Sequence, residues 1–244
     1  MNGAIDVGAI IRRVFQIYVD QASVLMPAAA VVFAITGVFS ILLVAASPGL
    51  AFVALIIGLV ATTLFTGMVV ELVADVQDGR RDASAGQLLR AASPVLGQLI
   101  LVGLVAGVGI VVGFILIVIP GLILITIWSV AAPVVVIERP GGLRALGRSR
   151  ELVRGNGWNV FAVILLLVIL VGVVGSGIEL GAAAAGTGVG LVVRVIVGIL
   201  TAPLSALAAA VLFFDLRKVH AGAAAEAPDE SGPFQSGPFP PAAP

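Results

Sequence analysis

The chain has 244 residues, 60% of them hydrophobic and 11% charged, with thirteen basic side chains against thirteen acidic ones and no cysteine. Such a composition excludes a soluble domain. The missing cysteines exclude disulfides, thiolate metal sites and cysteine nucleophiles.

The first element is amphipathic. Val7, Ile10, Ile11, Val14, Ile17 and Tyr18 follow the spacing of one helical face, with Asp6, Arg13 and Asp20 opposite. The pattern predicts a helix over residues 5–20 lying in the membrane interface rather than crossing it. Next comes the apolar run Ala22–Ala46. It is too long for the core of a signal peptide and follows a polar helix, so it is expected to stay as a membrane helix. The uncharged Ser47–Pro48–Gly49 leads into a second run, Leu50–Val76.

A charged connector, Asp78–Arg90, holds a second amphipathic helix over 84–92, opened by the capping-box pair Ser84 and Gln87. The run Pro94–Ile119 follows, then Pro120–Gly121 as an outer turn, then the shorter run Leu122–Ile137, in which Pro133 is expected to make a kink. A third amphipathic helix is predicted over 142–154. Ala145, Leu146, Leu152 and Val153 share one arc, and Arg144, Arg148, Glu151 and Arg154 occupy the other. The last two runs are Trp158–Ala182 and Val189–Phe214, joined by a Gly/Ala/Thr linker around Gly186. From Ala221 to Pro244 the chain is rich in Pro, Gly and Ala and repeats Ser-Gly-Pro-Phe, which predicts a disordered tail.

Five of the six runs are long enough to cross a hydrocarbon core of ~30 Å, and the fourth is marginal. Of all the Lys and Arg residues only Arg194 falls on the uncharged side. The positive-inside rule then places both termini and the charged connectors in the cytoplasm. The expected fold is all-α: a polytopic integral membrane protein of the bacterial cytoplasmic (inner) membrane, with six transmembrane helices in three hairpins and cytoplasmic amphipathic interfacial helices. Residues 1–220 form the membrane domain and 221–244 the tail. Each unit of amphipathic helix, span, turn and span ends its second span in an acid, at Glu71, Glu138 and Asp215. Internal repeats of this kind are common in membrane proteins.

Several residues carry candidate roles. Glu179 and Arg194 lie inside apolar runs, equally far from the last outer turn. Pairing is the economical arrangement for two charges in lipid, either as a structural pair or as a gate. Glu71 and Asp75, at i and i+4, are expected to clamp Arg12, Arg13 or the cluster 144–154. The run Arg139, Arg144, Arg148, Arg150 and Arg154 suits anionic headgroups, and equally suits a simple orientation signal. Gly103–Gly107, Gly109–Gly113 and Gly177–Gly181 have the GxxxG spacing of close helix packing. There is no metal constellation, nucleophile elbow or phosphate-binding loop, and the single histidine, His220, leaves few candidates for acid–base work. No enzyme activity, no cofactor and no nucleic-acid partner are expected.

The stretch Pro120–Gly121–Leu122, Trp128, Ala132–Glu138 and Ala145–Trp158, with Val7–Arg12 before it, resembles the bacterial glycerophosphoryl diester phosphodiesterase membrane-domain family. In some members of that family the membrane region precedes a catalytic barrel, for which this chain has no room, so the resemblance implies a membrane module without hydrolase activity. It points to Pro120, Gly121, Pro133, Glu138, Arg148, Ser149, Arg154, Asn156 and Trp158 as residues of turn geometry, kink and helix docking. The expected function is a non-enzymatic membrane module. Through Arg144, Arg148, Arg150 and Arg154 it would engage anionic membrane lipids, or a membrane or cytosolic protein partner, with homo-oligomers also open. The alternative is a small transporter or permease with a polar site between the hairpins.

Overall fold

The computed structural model describes residues 5–79, 84–184 and 187–226. Among them ten α-helices follow in order: α1 (Val7–Asp20), α2 (Ala22–Ala46), α3 (Ala51–Gln77), α4 (Ala85–Ala92), α5 (Leu96–Leu116), α6 (Val118–Trp128), α7 (Ala131–Ile137), α8 (Gly142–Val153), α9 (Gly157–Ala184) and α10 (Thr187–Glu226). The described residues include six helical stretches long and apolar enough to cross a membrane. The protein is all-helical and polytopic, as its apolar runs require.

The amphipathic helices start where side chains can satisfy backbone N–H groups left over in a first turn. The Asp6 carboxylate accepts from the N–H of Gly8 at 2.8 Å and of Ala9 at 3.1 Å. At α4 the Ser84 N–H donates to Gln87 Oε1 at 2.8 Å, and the Gln87 N–H donates back to the Ser84 hydroxyl at 3.4 Å. This is the reciprocal capping box that the sequence predicts.

Pro120 and Pro133 both lie near the start of a helix. The chain reverses at Ile117, in extended backbone, and α6 begins at Val118. Pro120 and Gly121 therefore lie in the first turn of a helix, not in the outer turn. Proline is at home there, because the N–H it lacks would have had no partner anyway. Pro133 interrupts the fourth span as expected, but as a break four residues before it rather than a smooth kink. The helix ends at Trp128 and restarts at Ala131, with Pro133 in the first turn of α7. A ring at position 133 would clash with the carbonyl of residue 129 in an unbroken helix, and the break falls there. The Ser129 hydroxyl closes the end of α6 by donating to the Thr126 carbonyl at 2.9 Å.

The last helix runs on to Glu226, so residues 221–226 are helical and do not belong to a disordered tail. The repeats at 231–239 and the linker at Gly186 lie outside the described residues.

The helices sort into two sets. The second helices of the three hairpins, α3, α7 and α10, touch one another. Their buried side chains include Phe65, Val69 and Val73, then Val134 and Val135, then Leu207, Val211 and Phe213. The first helices, α2, α5 and α9, join this cluster only near their starts, through Leu25, Leu99 and Val160 among others, and farther along expose Val38, Leu42, Val111, Ile115, Val168 and Val173. Each outer helix packs on its own hairpin partner and on the preceding unit: α5 on α3, α9 on α6, and α2 on α10. The amphipathic helices follow the same rule, with α4 on α3, α8 on α7 and α1 on α10. The third unit thus closes onto the first, and the three units form a ring. Without a hydrophobic drive between helices in lipid, close packing and polar contacts must hold such a ring.

Candidate functional site at the charged face

The three acids Glu71, Glu138 and Asp215, which follow the apolar stretches of the inner helices, each receive an arginine. Glu138 takes Arg148 in a two-point contact, Nε to Oε2 at 2.9 Å and the second guanidinium nitrogen to Oε1 at 3.5 Å. Arg148 also reaches Glu151 at 3.3 Å. Its guanidinium is held more firmly in the charged form than usual, first by the hydrogen bond to Glu138. Asp215 takes Arg13 at 3.3 Å, and Glu71 takes Arg139 at 3.9 Å.

Two of these clamps join an inner helix to the amphipathic helix of the next unit, α8 onto α7 and α1 onto α10. The third departs from the pattern, because Arg139 lies in the turn after α7 and not on α4. Arg139 has a left-handed backbone (φ 51°), and its Nε donates to the Val136 carbonyl at 3.2 Å. Gly141 follows at φ 94°, and this sharp corner starts α8. Glu71 therefore meets Arg139 rather than Arg12, Arg13 or the cluster 144–154. The contact of α3 with α7 brings the corner after α7 to Glu71.

The residues singled out around α8 divide by role. Ser149 is fully buried, and its hydroxyl donates to the Ile127 carbonyl at 2.8 Å, just before the helix break. Asn156 is buried and its Oδ1 accepts from the Ile5 N–H at 3.3 Å, while Asn159 Nδ2 donates to the Ile5 carbonyl at 3.1 Å. Together the two asparagines grip the backbone just before α1. Asn159 gave no signal in the sequence, since its partner is a main-chain group 154 residues away.

Farther along α1, the Tyr18 hydroxyl donates to the Leu200 carbonyl at 3.0 Å, and burial raises its pKa. Trp158 is 83% exposed and meets Phe161 edge-on, with ring centroids 6.0 Å apart. An exposed tryptophan at a helix end suits the headgroup level of a bilayer.

What remains is a basic surface. Arg144 and Arg150 on α8, and Arg154 capping its end, are exposed, whereas Ala145, Leu146, Ser149, Leu152 and Val153 of α8 are buried. Among the described residues none of these three arginines has an ion-pair partner. Arg148 does not belong with them, because its charge is committed to Glu138 and Glu151. No three His, Asp or Glu side chains among the described residues converge in a way that could hold a metal ion.

The other candidates separate similarly. Gly109 and Gly113 are used in the second hairpin. A Cβ at Gly109 would stand 2.7 Å from the Trp128 ring, and one at Gly113 would stand 3.1 Å from the Gly121 backbone. Gly107, Gly177 and Gly181 have open space where a Cβ would go. The side chain of Glu179 lies outside the described residues, and with it the pairing expected for Arg194. Arg194 itself is exposed and lines a cavity of about 560 Å³ with Thr36, Gly37, Ser40 and Gly58. A second groove, of about 700 Å³, runs between α6 and the start of α9.

A family described as a domain of unknown function (DUF8558) matches residues 84–216, more than half of the chain, which therefore belongs to that family. The matched stretch contains α4 to α9 and most of α10. The UPF0259 membrane protein PC1_1998 of Pectobacterium carotovorum subsp. carotovorum (strain PC1) is 37% identical to this chain over 98 residues. That similarity spans 40% of this chain and 39% of the relative. No solved structure matches. The chain is a bacterial membrane protein of a family whose function is unknown; these matches do not confirm the phosphodiesterase membrane-domain resemblance.

Proposed function

We propose that this family member is a non-enzymatic module of the bacterial cytoplasmic membrane, with its charged face and both termini in the cytoplasm, where it binds anionic phospholipid. One observation carries the reading: Arg144 and Arg150 on α8, and Arg154 capping its end, are exposed, while the buried residues of that helix are locked into the bundle. Arginine near an anionic membrane surface contributes ~1 kcal/mol per residue, and the excess of arginine on this face fits a cytoplasmic orientation. Arg148 has a different part, holding α8 on α7. In this reading the stretch that resembles the phosphodiesterase membrane-domain family is a membrane module shared by the two families. The apolar contact between α3, α7 and α10 favours this function over transport, which calls for a polar path between the hairpins.

Native mass spectrometry of protein released from nanodiscs tests the reading. Wild type should retain phosphatidylglycerol, and the triple variant Arg144→Ala/Arg150→Ala/Arg154→Ala, with Arg148 kept, should lose it while staying folded. Equal retention by the two would overturn it and leave a protein partner, or a second copy of the chain, to be sought at this face.

A further inference from the structure

The groove between α6 and the start of α9 has the polarity of a phospholipid. Along α6 its wall is Ile119, Leu122, Ile123 and Ile127, joined from α9 by Phe161. At its other end lie residues 155–159, with two asparagines and two glycines among them. Its volume of about 700 Å³ is typical of a small-molecule site.

Ile119 and Ile127 are eight residues apart, or ~12 Å along a helix, close to one leaflet of a hydrocarbon core of ~30 Å. Ile119 is 65% exposed and Ile123 53% exposed, so the groove is open to the side and a chain can enter from the bilayer. At the polar end, Arg154 caps α8 directly before Gly155 and is exposed. The positive end of the α9 dipole adds to its charge there. An apolar slot of one leaflet's depth, with an exposed cation next in the chain to Gly155 at its polar end, matches an anionic phospholipid.

We propose that this groove seats one anionic phospholipid, with an acyl chain against Ile119, Leu122, Ile123 and Phe161 and the phosphate at residues 155–159 beside Arg154. The proposal rests on the lipid-binding reading above and narrows it from a basic face to a single seat.

The test adds two groove variants and a control to the nanodisc experiment, with phosphatidylglycerol and phosphatidylcholine as the lipids. Ile123→Trp fills the slot, and Ile123→Ala widens it. The control is Ile115→Trp on α5, since Ile115 is 78% exposed and outside the groove. Wild type, Ile123→Ala and Ile115→Trp should each carry one phosphatidylglycerol out of the nanodisc, and Ile123→Trp should carry none. Arg154→Ala should weaken phosphatidylglycerol about fivefold and leave phosphatidylcholine unchanged, the effect of one basic residue near the headgroups.

If Ile123→Trp retains as much phosphatidylglycerol as wild type, the groove is not the seat, and the basic face alone stands. Loss of lipid from Ile115→Trp as well would equally overturn the groove assignment. If wild type itself retains none, both the seat and the broader lipid-binding reading fail.

Discussion

The inner helices α3, α7 and α10 and the outer helices α2, α5 and α9 are built from the same residues, chiefly Val, Leu, Ile, Ala and Gly, yet the inner set buries a much larger share of its length. In water the more apolar helix would lie inside. In lipid that rule has no force, because leaving Ile115 or Val173 exposed to acyl chains carries no hydrophobic penalty. What separates the sets is polar. The apolar stretch of each inner helix is followed by an acid, Glu71, Glu138 or Asp215, and each acid is bound by an arginine. Among the described residues the outer helices carry no acid–arginine tie at the charged face, although Asn159 at the start of α9 donates to the Ile5 carbonyl. The comparison suggests that the acids and the amphipathic helices docked near them decide which helix lies inside.

The sharpest contrast should come from truncating one phenylalanine in each set. Phe213 is fully buried in α10, and Phe213→Ala should destabilise the protein by ~3–5 kcal/mol. Phe39, 55% exposed on α2, should cost less than ~0.5 kcal/mol on the same change. Thermal unfolding in detergent, followed by tryptophan fluorescence, measures both. Similar losses would mean that the two sets are not distinct.

A smaller effect is expected where two helices of a hairpin come close. A Cβ at Gly121 would stand 2.6 Å from the Phe114 ring with the Gly113 backbone nearby, so Gly121→Ala should cost ~1–3 kcal/mol through overpacking. Gly177→Ala, with open space around it, should be silent in the same unfolding assay.

The polar ties come next. Ser149→Ala removes the hydroxyl that donates to the Ile127 carbonyl at the helix break and should cost ~1 kcal/mol. Glu138→Ala should cost somewhat less, ~0.5–1 kcal/mol, because Arg148 is partly solvated. Its signature should be faster amide exchange confined to α8, read by hydrogen–deuterium mass spectrometry, whereas Arg144→Ala should leave exchange in α8 unchanged.

Much of this architecture is legible in the sequence, and the parts that are not have physical causes. The bounds of α2, the capping box at Ser84 and the three amphipathic helices follow from periodicity and local chemistry, which act within a few residues. The prolines were legible as breakers but not in their register. A ring without an N–H suits the first turn of a new helix as well as a turn or kink, so Pro120 and Pro133 alone do not say whether the break lies at them or a few residues before.

The clamps were half visible. The acids stand out against apolar runs, but the partners of Glu71 and Asp215 depend on which units adjoin, and adjacency is set by packing. Asn156 stood out only through the family resemblance, as a docking residue, and Asn159 was beyond reach, since both bind the main chain of Ile5 from across the molecule. The split of α8 into a clamp, Arg148, and an outward face, Arg144, Arg150 and Arg154, needed the position of Glu138.

Closure of the three units into a ring is the claim on which the rest depends, and a chain without cysteine allows a clean test. The pair Gly37→Cys/Val195→Cys spans the contact of α2 with α10, where a Cβ at Gly37 would stand 3.1 Å from a Val195 methyl. The pair Gly67→Cys/Ala92→Cys spans α3 and α4, with the two Cβ positions 3.1 Å apart. Mild oxidation in native membranes should form an intramolecular disulfide in both, read as a mobility shift that a reductant reverses. A disulfide at Gly67/Ala92 but none at Gly37/Val195 would contradict the ring, leaving three hairpins in an open row.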